Sequence, residues 1–446
     1  MRKLSKIIYF IMTISLFTLF PFHQALSSIS IPSTADSSEA GQSTLVLYGA
    51  TLIDGTAANP KANSVVIING DRITSIVEKN QYHLSTNTNV HLINLSDYYI
   101  IPGLFDMHAH VANIQVSSYN YTESIEMLHK LLGWGITTIR NPGGPTEQAV
   151  MLRDMVNAGQ LIGPQIFTAG NLINSLPKTG FVETIVQNET EVRKEVQHQS
   201  KMGVDYIKLY VNLAPKLVQA GIEEAHTQGI KVMGHLFATS WSDAAMLGID
   251  ALTHGIPENP SLLTIDKRQE FASQNGGPYT HTLWLELADL SGNEIRQMIK
   301  KLVEYNVDVD PTLVIFEAML TDDIKKDASL WSKILNLTKM MYEAGVPITT
   351  GSDIPNFFLE PGVSLHRELE LLAQAGIPPL EVIKIATKNS ANSLGILNTV
   401  GTIESGKQAD LIILSQNPLI NITYTQSIVM VIRDGQLVNG PLRNWE

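Results

Sequence analysis

Two kinds of apolar spacing divide the chain. Between residues 43 and 78, "TLVLYGATLIDG" and "NSVVIINGDRITSIVE" alternate β-branched and polar positions and are separated by turn residues. A period of two interrupted by turns predicts strands joined as hairpins. Near the other end, "ADLIILSQNP" and "IVMVIRDGQLV" carry the same pattern. Both chain ends therefore predict one small β-sandwich domain, over 45–100 and 400–440. In between, short apolar runs alternate with helical periodicity. The strands are "GITTIRN", "PQIFTAG", "DYIKLYV", "IKVMGHLF", "IDALTHG", "VDVDPTLVIF" and "VPITTGSD", preceded by one that ends at His108. Helical segments such as "EVRKEVQHQSKMG" and "ILNLTKMMYEAG" lie between several of them. Eight such units are the number that closes a barrel, so the fold class expected is α/β, a (β/α)8 TIM barrel over 101–399. No short internal repeat is visible, which argues against a solenoid.

The first residues break this pattern. Arg2, Lys3 and Lys6 precede the apolar run "IIYFIMTISLFTLF", and small residues follow at Ala25, Ser27 and Ser28. Positive start, short apolar stretch and small residues predict a signal peptide over 1–27, with the mature chain starting soon after Ala25. The run is short for a membrane-spanning helix; a retained anchor is the alternative. A Ser-rich linker, 28–44, containing "STADSSEAGQST", then leads into the first strand. The expectation is an exported protein, periplasmic or secreted, with no stable membrane span after signal removal.

Composition narrows the chemistry. The 446 residues carry a net charge of −12 without a basic block, which excludes nucleic acid as an expected partner. A small-molecule substrate is expected instead, with a homo-oligomer left open. The chain has no cysteine, so thiolate metal sites and Cys nucleophiles are excluded. A large core needs no disulfides, so this is compatible with export. Five Asn-x-Ser/Thr sequons, at Asn94, Asn120, Asn188, Asn336 and Asn421, read as chance occurrences.

The candidate chemistry lies at the strand ends, where barrels carry their active sites. In "IPGLFDMHAH" His108 and His110 are two apart, a spacing that puts both side chains on one face of a strand. Lys208 lies in the fourth strand, His235 ends the fifth, His254 the sixth and Asp353 the eighth. Of the 12 histidines four fall at strand ends, whereas His129, His198, His226 and His366 sit in helical or polar text and read as surface or packing residues. Imidazole and carboxylate donors in this number suit two divalent ions. An ammonium cannot bind a cation, so Lys208 belongs to the set only if CO2 converts its amine to a carbamate. The alternative is a core lysine paired with an acid such as Asp205.

These motifs resemble the amidohydrolase superfamily, and within it the imidazolonepropionase-related branch that includes carbamylated-lysine Xaa-Pro dipeptidases. The resemblance rests on "GATLIDG", "IPGLFDMHAH", "GITTIRNPGG", "DYIKLY", "GHLF", "IDALTHG", "GSDIP", "SLHRELELLAQAG" and "GTIESGKQADLIIL", in that order. It implies that His108, His110 and Asp353 hold the more buried of two divalent ions, expected to be zinc. His235 and His254 would hold the second, with carbamylated Lys208 as the bridge. Asn141 stands where relatives often carry Asp, and "FTAGNLINSLPKTG" lacks a Gly-Gly-His found in many of them. Both departures bear on the substrate and leave the ligand set intact.

The function expected is a metal-dependent amidohydrolase that cleaves a C–N bond by a metal-bridged hydroxide. The bond would be an amide or peptide, in an Xaa-Pro dipeptide or an N-acyl amino acid. Asp353 would take the proton of the attacking hydroxide and pass it to the departing amine. Tyr210, two past Lys208, and Arg140 are candidate substrate contacts; a packed tyrosine and an ion-paired arginine are the alternatives. His281 lies in Gly-rich loop text, "GGPYTHTLW", for which a mobile lid is the less favoured reading, and His366 with Arg367 reads as a structural helix turn. Competing functions are hydrolysis of a cyclic amide, lactone or phosphoester, and a non-catalytic barrel scaffold. A bridging lysine argues against a single-metal deaminase site.

Overall fold

The computed structural model describes residues 44–83, 89–112, 120–319 and 328–438. The expected signal peptide and all of the linker before Thr44 lie outside the described residues. No helix among the described residues is long and apolar enough to cross a membrane.

The first strands are β1 (Thr44–Leu52), β2 (Lys61–Asn69), β3 (Arg72–Glu78), β4 (Val90–Asn94) and β5 (Tyr99–Pro102). The central ones are β6 (Leu104–Asp106), β7 (Ile136–Asn141), β8 (Gln165–Thr168), β9 (Leu172–Asn174) and β10 (Glu183–Ile185). They continue with β11 (Tyr206–Leu209), β12 (Lys231–Gly234), β13 (Ala251–Thr253) and β14 (Asp308–Asp310). The chain closes with β15 (Leu411–Leu414), β16 (Ile428–Arg433) and β17 (Gln436–Val438).

Both chain ends meet in one eight-stranded sheet, ordered β17-β16-β15-β5-β1-β2-β3 with β4 on β1. β5 is the seam: it runs parallel to the end of β1 at Leu52↔Ile100 and antiparallel to β15 at Ile413↔Ile100. The alternating apolar positions seen in the sequence bury Leu47, Val66, Ile73, Ile100, Ile413 and Ile432 in a core of their own. The sandwich expected here is, by pairing, a single sheet that branches at β1, where β4 takes the first half and β5 the last two residues. Gly103 carries the chain out of this sheet into β6. A Cβ at Gly103 would lie 2.1 Å from Thr137 Oγ1, so β7 packs where only glycine fits.

The central strands pair in parallel, as three strands β6-β7-β8 and six strands β10-β9-β11-β12-β13-β14. All four residues of β11 are buried, as is usual when both faces of a parallel sheet are covered. The continuously paired ring expected from the sequence is absent among the described residues. Single bridges stand at three seams instead: Ala169↔Tyr206, Val309↔Ile348 and Ala109↔Ile354. The reason for the last two is local. "VPITTGSD" contributes one bridged residue before Gly351 and the left-handed Asp353 (φ 63°) turn the backbone away.

A second difference falls in "VDVDPTLVIF", expected as one strand. β14 stops at Asp310, and a helix, Leu313–Met319, takes up the apolar residues after Pro311. Pro311 has no N–H for a ladder. The buried Glu368 carboxylate then accepts the Val314 N–H at 2.8 Å and satisfies the new helix start. The helices expected in "EVRKEVQHQSKMG" and "ILNLTKMMYEAG" are Glu189–Met202 and Ala328–Ala344. Asn188 caps the first by accepting the Glu191 N–H at 3.0 Å, and Gly203 (φ 89°) ends it.

Candidate metal centre

His108 and His110 follow β6, and Asp353 follows the eighth strand segment. Asp353 Oδ1 lies 3.4 Å from His108 Nε2 and 3.3 Å from His110 Nε2. One donor atom from each of the three falls within 4.8 Å of the others, all from buried residues. The backbone fixes this convergence. Asp353 N–H donates to the His108 carbonyl at 2.6 Å, and His110 N–H to the Ile354 carbonyl at 2.8 Å. A Cβ at Gly351 would sit 2.6 Å from His108 Cβ, so glycine is what lets the two segments touch. Asp106 ties them together: it accepts the N–H groups of His108 at 3.1 Å and Ser352 at 3.0 Å, and the Ser352 hydroxyl. Burial raises its carboxyl to about 7 despite those bonds.

Lys208, His235 and His254 arrive from β11 and from the residues after β12 and β13. The rings of His235 and His254 are 4.3 Å apart between centroids, and His254 is 4.8 Å from His108. The two groups are thus one cluster. Burial holds His108, His235 and His254 well below the ordinary imidazole range, which leaves them neutral, the form that binds a metal. Three of the four rings are held from behind through Nδ1. His108 faces Asp310 at 3.4 Å, His110 the Gly143 carbonyl at 3.0 Å and His254 the Thr312 hydroxyl at 2.8 Å. Partners of this kind set which nitrogen faces the centre. His254 (φ 72°), Thr312 (φ 45°) and Asp353 (φ 63°) all adopt left-handed backbone, a strain that surrounding structure must hold in place.

Lys208 is fully buried and donates to Thr253 Oγ1 at 3.0 Å. Desolvation lowers its amine to about 7. The alternative partner, Asp205, is engaged elsewhere: it pairs with Arg153 at 2.9 Å and accepts the Thr168 N–H at 2.8 Å. Among the described residues Lys208 forms no ion pair. At a pKa of about 7 a share of the amine is neutral near pH 7, and the neutral amine is the form that takes up CO2. Imidazoles and a carboxylate converging on one point are likewise the donor set a divalent ion requires, so the residues fit the group.

The amidohydrolase family model matches residues 99–438, from β5 through β17. The chain belongs to the amidohydrolase family. It is 22% identical to ochratoxinase from Aspergillus niger over 465 residues, covering 89% of this chain and 87% of that protein. It is 20% identical to imidazolonepropionase from Fusobacterium nucleatum over 406 residues, 84% of this chain and 91% of the relative. Among solved structures, a Xaa-Pro dipeptidase with bound methionine aligns with a TM-score of 0.70 at 23% identity, covering 89% of this chain and 100% of the other. At that identity the likeness shows the shared fold.

Around the cluster, this amidohydrolase places residues that the strand-end reading did not single out. Asp310 ends β14 and is fully buried. Its Oδ2 accepts from Arg140 Nη2 at 2.6 Å while facing His108. Arg140 also donates from Nε to the Met107 carbonyl at 2.9 Å. The guanidinium proposed to meet a substrate is therefore buried against Asp310, the ion-paired alternative. The signal was present: Asp310 is an acid at the last position of a strand, immediately before proline.

Tyr210 is buried, and its hydroxyl accepts from Tyr279 at 3.0 Å. Burial raises Tyr210 well above, and Tyr279 to about 12, so both keep their protons. The Tyr279 N–H donates to buried Glu258 at 3.0 Å, and the other Glu258 oxygen approaches His281 Nδ1 to 2.7 Å, off the line of a hydrogen bond. His281, placed in a loop by its glycines, starts the helix His281–Leu287. His366 is a packing residue as read: it spans the Thr425 hydroxyl at 2.9 Å and the Trp134 carbonyl at 3.0 Å. Arg367 beside it pairs with Glu317 at 2.8 Å.

Proposed function

We propose that this amidohydrolase hydrolyses a C–N bond, an amide or peptide, in a small substrate such as an Xaa-Pro dipeptide or an N-acyl amino acid. It would use two divalent ions, zinc by the chemistry of the donors, with CO2 held as a carbamate on Lys208. His108, His110 and Asp353 would hold one ion, His235 and His254 the other, with carbamylated Lys208 between them. The observation that carries this reading is the convergence of four imidazoles, one carboxylate and one buried amine at one end of the parallel strands, with the ring centroids of His254 and His108 4.8 Å apart. The names of the relatives, ochratoxinase and Xaa-Pro dipeptidase among them, support the C–N bond.

When bound, the ions would supply Lewis acidity and a water nucleophilic near neutral pH. The chain's own residues supply the rest. Asp353 receives the proton of the attacking water and passes it to the nitrogen as the C–N bond breaks. Tyr210 offers its hydroxyl proton to a substrate oxygen. Asp310, with Arg140 behind it, keeps His108 turned toward the centre. The strand segments form a (β/α)8 barrel over 101–399 in this reading, the single bridges marking its seams, beside a β-domain of 45–100 and 400–440. Export to the periplasm or medium completes the proposal.

The test is metal analysis of purified protein together with a panel of Xaa-Pro dipeptides, N-acyl amino acids, lactones and phosphoesters. Two ions per chain and turnover of the amides are expected. One ion or none in metal-replete protein removes the binuclear site. Turnover confined to lactones or phosphoesters removes the C–N assignment.

A further inference from the structure

We propose that Tyr279 contacts the substrate and helps determine specificity: with Tyr210 it forms a pair of phenolic donors that takes up an acceptor oxygen of the substrate beside His235. The inference rests on the hydrolase reading above.

Tyr279 is an aromatic residue with 41% exposure in left-handed backbone (φ 68°), a conformation that side chains rarely adopt. Two bonds hold it there. Its N–H donates to the buried carboxylate of Glu258 at 3.0 Å, and its hydroxyl donates to the Tyr210 hydroxyl at 3.0 Å. Thr280, the next residue, braces the loop through its hydroxyl, which donates to the Gly277 carbonyl at 2.6 Å. The Tyr279 ring stands edge-on to His235 at 5.8 Å, and that of Tyr210 edge-on to the same imidazole at 5.2 Å. Two phenols thus bracket one proposed ligand from separate parts of the chain.

An exposed aromatic ring needs a reason to be fastened at both ends. Packing leaves the job incomplete: the ring stands edge-on to His235 and His281 yet stays 41% exposed. Hydrogen-bond chemistry supplies the reason. The bond between the two hydroxyls uses one of their two protons; an oxygen placed between them can accept both. The acceptor is a carbonyl or carboxylate oxygen, since the site needs a donor that does not itself carry charge or compete for a cation. Arg140, the strand-end cation nearest in sequence to such a role, is held by Asp310. Among the described residues, Tyr210 and Tyr279 are neutral donors placed edge-on to His235, where a substrate oxygen can accept from them.

The test compares wild type, Tyr279→Phe and Tyr279→Ala on the best substrate from the panel and on the same compound with its terminal carboxylate converted to carboxamide. Tyr279→Phe keeps the ring and removes the proton. An efficiency loss of tenfold or more with an unchanged melting temperature is expected. Confined to the free acid and expressed in KM, the loss identifies the terminal carboxylate. Shared by both compounds and expressed in kcat, it identifies the carbonyl under attack. Wild-type kinetics for Tyr279→Phe on both compounds overturn the proposal, as does a loss that tracks a lowered melting temperature. Wild-type protein that turns over no member of the panel removes the hydrolase reading, and this one with it; turnover unaffected by Tyr279→Phe removes only this one.

Discussion

His108 and Asp310 are 202 residues apart in sequence, yet His108 Nδ1 and Asp310 Oδ2 are 3.4 Å apart, both side chains buried. The same oxygen takes Arg140 at 2.6 Å. Arg140, Asp310 and His108 form a chain that ends at the point where His110 and Asp353 converge. The carboxylate is the middle link: it neutralises one buried cation and orients one imidazole.

Asp310→Asn separates these two tasks. The amide can still face His108, but it leaves Arg140 buried without a counter-charge, at a cost of about 3–5 kcal/mol. Metal affinity at His108, His110 and Asp353 should fall by roughly 10–100-fold, the usual effect of losing a partner behind a ligand. Metal titration and denaturant unfolding measure the two losses. Wild-type affinity in the variant would show that Asp310 serves only the fold.

Lys208 tests the carbamate. Lys208→Ala should lose several orders of magnitude of activity, with partial return on adding a short carboxylic acid or bicarbonate. Lys208→Arg should not recover, because guanidinium stays charged and does not take up CO2. An active, metal-loaded Lys208→Arg protein would make this lysine a core residue beside Thr253 and leave a centre of imidazoles and Asp353.

His366 predicts a pH dependence of stability. Burial lowers its folded pKa to about 4 from 6.5. Between those values the unfolded chain binds the proton and the folded chain does not, so stability falls as pH drops from 6.5 toward 4 and is fully present above 6.5. From pH 7 to 5 this one group should remove about 2 kcal/mol. His366→Gln should show a shallower loss over that window in unfolding titrations run beside wild type. Parallel curves for the two proteins would assign the acid sensitivity to other groups.

The N-terminal reading is checked by sequencing the native protein. A mature chain that starts in the Ser-rich stretch after Ala25 is expected, recovered from the periplasm or medium. A cytoplasmic chain that still begins at Met1 would overturn both cleavage and export.

By itself the sequence determined what depends on neighbours along the chain. Alternation in "NSVVIINGDRITSIVE" marks a hairpin because side chains on a strand point to opposite faces every second residue. The βα rhythm placed His108, His110, Lys208, His235, His254 and Asp353 near strand ends for the same local reason. Tertiary structure decided whatever depends on partners brought in from elsewhere. "VDVDPTLVIF" breaks into strand and helix at Pro311, where Glu368, 54 residues beyond Val314, supplies the helix's missing acceptor. Arg140 could have met a substrate until Asp310, 170 residues away, was seen to hold it. Tyr279 lies 69 residues from Tyr210, in a loop whose glycines say only that the chain turns. Backbone periodicity is a property of a few consecutive residues. The partner of a buried charge or hydroxyl is chosen by the whole fold, because only packing decides which groups lose water together.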